Sequence, residues 1–199
     1  RNLLLLTHGR TLVLFTSYRL MQLCAKQLEA ELVLATAKGF PPIRVLVQGS
    51  GASRESLTEQ FKNESAASVL MGTDSFWEGV DLIGDTLTAL VIVKLPFDAV
   101  NDPIINARAE QVRQESGDSF MGYSVPNAVI KFRQGFGRLI RHKHDRGVVI
   151  ITDPRLINKG YGGMFRRSIP TNVERITSAD ELQKVLEAFF LGNVIDCPK

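Results

Sequence analysis

The segment TLVLFTSY, residues 11–18, joins an apolar strand directly to the start of an amphipathic helix. After Thr11, residues 12–15 carry large apolar side chains without a polar alternation, which is typical of a strand buried on both faces of a parallel sheet. Thr16 and Ser17 supply the hydroxyl groups that favour a helix start, and apolar residues then recur at helical spacing. The segment therefore predicts one strand-to-helix unit of an α/β fold.

The same alternation continues along the rest of the chain. Because parallel strands need helical crossovers, it predicts an α/β, RecA-like arrangement with a parallel sheet flanked by helices on both faces. A link that contains proline and glycine is expected over residues 153–170, before the last helix. Strands are predicted at Thr11–Phe15, Arg44–Val47, Ser68–Met71, Thr88–Leu95 and Gly147–Thr152. Helices are predicted at Tyr18–Leu32, Ser53–Asn63, Asp102–Glu115, Pro126–Arg141 and Ser178–Leu191.

Length and composition indicate one globular domain over residues 1–199. The chain is 44% hydrophobic and 23% charged, with no low-complexity tract or fixed-period repeat. It starts at Arg1 without a secretory signal, so we expect a fragment of a longer protein. The longest apolar runs, such as Ala89–Val93, are far shorter than the roughly 20 residues that cross a bilayer. No membrane segment is predicted.

The cysteine content indicates a reducing compartment. Cys24 and Cys197 are the only cysteines, and no CxxC pattern accompanies them. The pair is too small a set of thiolates for an iron–sulfur cluster, so any such cluster would lie outside this chain. The expected location is intracellular, and cytoplasmic if the protein is bacterial.

Basic residues concentrate in one segment although the formal net charge is only +3. A segment of this kind indicates an anionic partner, either phosphate or nucleic acid, and a solvated basic face is the alternative. Its acidic residues are Asp145 and Asp153. Its basic residues are Lys131, Arg133, Arg138, Arg141, Lys143, Arg146, Arg155, Lys159, Arg166 and Arg167.

The segment KFRQGFGRLIR, residues 131–141, carries the most chemical information. On a helix, Gln134, Arg138 and Arg141 fall on one face, opposite an apolar stripe. Each guanidinium can donate two charge-assisted hydrogen bonds, which suits the oxygens of a phosphate chain. Arg138 and Arg141 are therefore predicted to offset charge on a transferring γ-phosphoryl group.

Two glycines interrupt this predicted helix. Gly135 and Gly137 each weaken a helix by up to about 1 kcal/mol relative to alanine. Another property must favour them, and we expect the close approach of another backbone or of a ligand.

The pattern Gln134-x-x-Gly137-Arg138-x-x-Arg141 resembles motif VI of superfamily 2 helicases. The longer string QGFGRLIRHKHDRGVVIITDPRL, residues 134–156, resembles the DinG/XPD-like branch in particular. GTDSFWEGVDL at 72–82 is similar to motif V of that branch, and LVLFTSY at 12–18 is similar to motif IV. These motifs stand in the family's order within residues 9–156. The chain thus resembles the C-terminal motor lobe, the second RecA-like domain, of an ATP-dependent DNA helicase.

The resemblance implies a nucleotide site built partly by this chain. Arg141 and Arg138 would act as arginine fingers, with Gln134 beside them. Asp81 would approach the ribose of the nucleotide. Nucleotide contacts are implied at Glu78, Gly79, Asp81 and Gly137.

The resemblance also implies contacts with single-stranded DNA in two loops. Thr16 and Ser17 would bind phosphates after the first strand, although capping of the following helix is a compatible role. Thr73, with the backbone of Asp74 and Ser75, would hold another phosphate of the strand.

Two residues beside the second loop have open alternatives. Trp77, the only tryptophan, either stacks on a base or is a buried core aromatic. Ser75-x-x-Glu78 also fits a capping box, which needs no ligand. Both interpretations of each residue remain open from the sequence.

Part of an ATPase site is missing from the sequence. There is neither a GxxxxGK[ST] string, the Walker A motif, nor an acidic DExH-type string, the Walker B motif that would bind Mg²⁺. In the family these lie on the N-terminal RecA-like lobe of the same polypeptide, so ATP and Mg²⁺ would be shared with that lobe. The isolated chain is expected to hydrolyse no ATP. A non-catalytic lobe that binds single-stranded nucleic acid and an RNA helicase lobe are the alternative functions.

Overall fold

A computed structural model describes residues 1–63, 67–77, 87–98, 102–140 and 146–192. In these residues, parallel strands form one sheet with the order β2-β3-β1-β4-β5. The strands are β1 (Thr11–Leu14), β2 (Arg44–Val47), β3 (Ser68–Gly72), β4 (Ala89–Ile92) and β5 (Val148–Ile151). The predicted parallel α/β sheet is confirmed, with each predicted strand present and shortened or lengthened by a few residues at most.

The burial of each strand follows its place in the sheet. Every residue of β1 and β3 is buried, as their uninterrupted apolar runs predict. The strands β2 and β5 lie at the two edges and are only partly buried. The segment that joins β1 to the first long helix therefore starts at the centre of the sheet.

Helices connect the strands and cover the sheet. They are α1 (Asn2–Leu6), α2 (Tyr18–Ala37), α3 (Arg54–Lys62), α4 (Asp74–Trp77), α5 (Pro103–Ser116), α6 (Val125–Phe136), α7 (Arg155–Asn158), α8 (Gly162–Arg167) and α9 (Ala179–Leu191). A π-helical turn, Phe120–Ser124, precedes α6. None of the helices in the described ranges has the length and apolar character needed to cross a membrane.

Two apolar clusters lie on opposite faces of the sheet, because side chains alternate along each strand. On one face, Leu12 and Leu14 pack with residues of α3, α4 and α6. On the other face, Val13 and Phe15 pack with Met21 and other residues of α2. The predicted covering of both faces is confirmed.

The last turn of α6 corrects the predicted helix Pro126–Arg141. The α-helix ends at Phe136, and the amides of Arg138 and Leu139 donate to Gly135 O and Phe136 O, each at 3.1 Å. These bonds span three residues and tighten the chain, as is common where a helix ends. Arg138 therefore lies in a tight turn beyond the α-helix, and the predicted extension of the helix to Arg141 is wrong for residues 137–140.

The predicted link 153–170 is more ordered than the sequence suggests, since it contains α7 and α8. Gly162 begins α8 where a Cβ would lie 2.2 Å from Leu156 O, so only glycine permits this contact. The link folds back on the core through Leu156 and Phe165, which are 3% and 0% exposed.

Candidate nucleotide and nucleic-acid site

The segments that resemble motifs IV, V and VI meet at Trp77. Its indole Nε1 donates to Phe15 O, at the end of β1, at 3.0 Å. Its own carbonyl accepts hydrogen bonds from Arg138 Nη2 at 3.3 Å and Nε at 3.4 Å. The side chain is 2% exposed, so in this conformation its ring is a core group and offers no face to a base. Burial thus supports the core interpretation of Trp77.

The two glycines of the motif VI segment have different surroundings. A Cβ at Gly135 would lie 2.7 Å from Trp77 Cε3 and 3.1 Å from Leu14 Cδ1. The close neighbour is thus a side chain, and neither another backbone nor a ligand. At Gly137 the nearest atoms would be Arg133 O and Gln134 O at 3.4 and 3.5 Å, an ordinary separation. Packing requires a glycine at 135 but not at 137.

The described ranges include only some of the residues that are predicted to contact the nucleotide. Gln134 is exposed in the last turn of α6, and Arg138 is half-buried in the turn that follows. Arg141 lies outside the described residues. So do Glu78, Gly79 and Asp81.

Thr73 and the first residues of α4, which together form the loop segment Thr73–Ser75 after β3, are held by Gln48, the residue that follows β2. Gln48 Oε1 accepts from Thr73 N at 2.6 Å and from Thr73 Oγ1 at 3.0 Å. Gln48 Nε2 donates to Ser75 Oγ at 3.3 Å. Thr73 is 8% exposed, whereas Ser75 is half-buried and Asp74 is exposed. The three residues predicted to hold a strand phosphate are brought together, but they differ in accessibility.

The predicted capping box at Ser75 is wrong in register. An N-cap residue precedes its helix, yet α4 begins at Asp74 and Ser75 lies within it. The Ser75 hydroxyl instead accepts from Gln48. The other member of the box, Glu78, lies outside the described residues.

Capping does occur after β1. Ser17 is the N-cap of α2, and its Oγ accepts from Leu20 N at 3.3 Å. Thr16 beside it is half-buried. A serine hydroxyl that accepts one hydrogen bond keeps its own hydrogen for donation, so capping leaves Ser17 able to contact an anion.

A cavity of about 350 Å³ lies next to the segment Thr73–Ser75 that follows β3. Lys131, in its wall, forms an ion pair with Asp98, whose side chain is 12% exposed. The basic segment is therefore partly neutralised from within the lobe. The lining residues are Arg54, Asp74, Ser75, Trp77 and Lys131.

Asp153 ties together the loops after β4 and β5. Its side chain is 4% exposed and pairs with Arg155 at 2.6 Å, while Leu95 N donates to Oδ2 at 2.8 Å. Burial alone would raise the pKa of Asp153, but the hydrogen bonds from Arg155 and Leu95 and the charge of Arg155 outweigh it and lower the pKa. The Arg155 guanidinium also lies 5.1 Å from the ring centre of Phe97. This pair stabilises the edge of the sheet on which the predicted binding loops lie.

Residues 1–172 match the family model described as the helicase C-terminal domain. This chain belongs to the helicase C-terminal domain family. The motif segments that meet at Trp77 lie entirely within the matched residues. The resemblance recognised in the sequence is therefore confirmed at the level of the family.

Two bacterial proteins are among the curated relatives of this helicase C-terminal domain. The chain is 43% identical to "ATP-dependent DNA helicase YoaA" of Haemophilus influenzae over 185 residues. This alignment covers 93% of the chain and 26% of that protein. The chain is 39% identical to "3'-5' exonuclease DinG" of Bacillus subtilis over 185 residues. This alignment covers 92% of the chain and 19% of that protein. The chain thus spans about a quarter or less of the length of these relatives.

Two solved structures share the fold. "XPD_APO" aligns with a TM-score of 0.57 at 17% identity, over 83% of this chain and 32% of that chain. "XPD_Helicase" aligns with a TM-score of 0.54 at 21% identity, over 79% of this chain and 26% of that chain. Together with the parallel sheet, they establish the RecA-like α/β fold of the domain.

Sequence reasoning missed Gln48 and the structural role of Asp153. Gln48 directly follows the predicted strand Arg44–Val47, where ligands gather in α/β sheets, but no local pattern connects it with Thr73, 25 residues later. The sequence places Asp153 in the basic segment and directly after the predicted strand Gly147–Thr152, but it does not predict the hydrogen bonds of Asp153 to Leu95 and Arg155. The signal that could have found both is their position directly after a strand, where loops of a parallel sheet converge.

The contrast between the two glycines gives a matched pair of substitutions in the helicase C-terminal domain. Gly135→Ala is expected to lower the opening free energy of α6 by about 1–3 kcal/mol, since the new methyl group would overlap Trp77. Gly137→Ala, at a φ of −65°, should change it by less than about 0.5 kcal/mol. Hydrogen exchange of α6 amides in the full-length protein measures both. Equal losses of protection would contradict the packing role of Gly135.

Proposed function

We propose that this chain is the second motor lobe of an ATP-dependent DNA helicase of the DinG/XPD-like family. In this role it would supply arginine side chains to a nucleotide site shared with an N-terminal RecA-like lobe. Hydroxyl-bearing loops after β1 and β3 would bind the phosphates of single-stranded DNA. Such a motor works on intracellular DNA, in the cytoplasm of a bacterium.

The meeting of the motif IV, V and VI segments at Trp77 carries most weight for this proposal. The indole binds the end of β1, and the Trp77 carbonyl binds Arg138 of the phosphate-directed segment. A change in the position of Arg138 would therefore be transmitted to the loop between β3 and α4. A motor of this kind needs such a connection, because the state of the bound nucleotide must change the affinity for the DNA strand.

The residues of this chain fit half of an ATP·Mg²⁺ site. Among the described residues, no group of three His, Cys, Asp or Glu side chains is placed to hold a metal ion. The phosphate-directed groups are instead donors: the exposed Gln134 and the guanidinium of Arg138, with Arg141 following. Bound ATP with Mg²⁺ supplies the free energy of hydrolysis, and this lobe would contribute positive charge to the phosphate chain. The Mg²⁺ ligands and the Walker A lysine would come from the other lobe.

Translocation would follow from differential grip in two states of the lobes. Closure around ATP would bring Arg138 and Arg141 to the phosphates, and product release would let the lobes separate. Each lobe would hold strand phosphates with a different affinity in the two states, so alternation moves the strand. The exposed residues Arg133, Arg146 and Arg167 would add sequence-independent attraction.

The test is steady-state ATP hydrolysis by the full-length protein with and without nucleic acid. We expect stimulation by single-stranded DNA, weaker stimulation by RNA, and an apparent affinity that falls steeply with added salt because phosphate contacts release counterions. Binding of single-stranded DNA without any stimulation would identify a non-catalytic binding lobe. Preferential stimulation by RNA would identify an RNA helicase lobe. Tight binding that is indifferent to salt would contradict the phosphate grip.

A further inference from the structure

We infer that Gln48 is a positioning residue that occupies the hydrogen-bond donors of Thr73 and leaves the Ser75 hydroxyl as the donor to a strand phosphate. This rests on the proposed binding of single-stranded DNA and changes which side chain of the loop performs it. Thr73, the residue that the sequence predicts for this contact, becomes a structural residue.

The orientation of the Gln48 carboxamide follows from its partners. The backbone N–H of Thr73 can only donate, so the Gln48 atom that lies 2.6 Å from it must be the oxygen. The Gln48 nitrogen then faces Ser75 Oγ at 3.3 Å. An amide nitrogen of glutamine can only donate, so the Ser75 oxygen is the acceptor in this contact.

Both donors of Thr73 are consumed by this arrangement. Its hydroxyl lies 3.0 Å from Gln48 Oε1, which can only accept, so the hydroxyl hydrogen points at Gln48. Its amide donates to the same oxygen. A phosphate oxygen accepts hydrogen bonds and needs donors, and Thr73 is in addition only 8% exposed. Thr73 thus has neither a donor nor an open surface for a strand.

Ser75 has the opposite properties. Its oxygen is occupied by the donor of Gln48, so its own hydrogen must point elsewhere. The residue is half-buried and lines the cavity with Arg54 and Lys131. Asp74 lines the same cavity, and Lys131 is paired with Asp98, so net positive charge there is small. Phosphate binding at this place would therefore depend on an aimed donor, and the Ser75 hydroxyl is one.

Gln48 is itself held in place, as a positioning residue must be. The backbone N–H of Gln48 continues the sheet by donating to Met71 O at 3.0 Å. The backbone carbonyl of Gln48 accepts from Gln22 Nε2 of α2 at 3.3 Å. The carboxamide thus extends from a fixed point toward the loop after β3.

The experiment compares two hydroxyl deletions in the full-length protein by the apparent KM for oligothymidylate and kcat in steady-state ATP hydrolysis. Ser75→Ala should raise KM about tenfold, because it removes a hydrogen bond to a charged group. Thr73→Val keeps the shape of the side chain and should change KM less than about twofold. For both variants kcat at saturating DNA should be unchanged, which a generally misfolded lobe would not permit.

Gln48→Glu tests the positioning role without deleting either hydroxyl. A carboxylate still accepts from Thr73, but it has no N–H for Ser75 and would take up the Ser75 hydrogen. KM should rise about tenfold or more, as in Ser75→Ala, with kcat unchanged. A fall in kcat without a change in KM would contradict the role of Gln48.

The outcomes separate this inference from the function on which it rests. If Thr73→Val raises KM as much as Ser75→Ala or more, or if Ser75→Ala leaves KM unchanged, the assignment to Ser75 is wrong while DNA binding by the lobe stands. If the wild-type protein shows no DNA stimulation, the proposed function itself is wrong.

Discussion

In the full-length protein, Arg141→Ala is expected to lower kcat for DNA-stimulated ATP hydrolysis by about a thousandfold or more, the range of arginine fingers. The physical reason is that the charge on the γ-phosphoryl group changes most during its transfer. A guanidinium that contacts this group at that stage therefore stabilises the transition state. Arg141 follows Arg138 in the segment that resembles motif VI. Binding of single-stranded DNA should survive, because the contacts proposed for the strand lie in other loops.

Two further substitutions serve as controls for Arg141. Arg141→Lys should restore little activity, because an ammonium keeps the charge but loses the planar fork that reaches two oxygens. Arg138→Ala should also lower kcat, and it should in addition disturb the end of α4, because Arg138 donates to Trp77 O. A folded Arg141→Ala protein with near-normal kcat would refute the finger assignment and transfer it to Arg138.

The sheet was predictable because its signal is local. The strands at 11–14 and 68–72 are apolar on consecutive residues, and each is followed by a segment with helical periodicity. A central strand of a parallel sheet is buried on both faces and therefore requires this composition. The composition of such a strand thus indicates its position in the sheet. The N-caps Ser17, Asp102 and Ser178 were predictable for the same reason, since each bonds an amide within the next turn.

The end of α6 was not predictable from periodicity. The pattern continues through Arg141, but the helix ends at Phe136 because the chain tightens between Gly135 and Leu139. Gly135 is there to make room for Trp77, which comes from a segment 58 residues earlier in the chain. A residue whose role is fixed by a distant side chain carries no local signal.

The polar contacts of the candidate site show the same limit. Gln48 bonds Thr73 across 25 residues, and Lys131 pairs with Asp98 across 33 residues. Spacing along one helix cannot reveal such partners. The sequence therefore suggests which residue types a phosphate-binding loop could offer, whereas the donors that remain available in the proposed loop depend on the fold.

Trp77→Ala is expected to lower the opening free energy of β1 and α6 by about 3–5 kcal/mol, the cost of truncating a large buried aromatic residue. Trp77 is 2% exposed, packs against Gly135 and belongs to the same buried apolar cluster as Leu14. Hydrogen exchange of peptides from β1 and α6 in the full-length protein measures the change, since it reports opening of these elements separately from the rest of the molecule. The helicase motifs should lose their mutual contact, so DNA-stimulated hydrolysis should fall as well.

Trp77→Phe separates the packing of the ring from the hydrogen bond of the indole. Phenylalanine fills most of the space but cannot donate to Phe15 O, which loses its partner from Trp77 Nε1. The expected loss is about 1–3 kcal/mol, the cost of leaving a buried carbonyl unsatisfied. A base-stacking tryptophan would behave differently: Trp77→Ala would weaken single-stranded DNA binding while exchange in β1 and α6 stayed at the wild-type rate. That result would overturn the core assignment, and with it the role of Trp77 as the contact between the three motif segments.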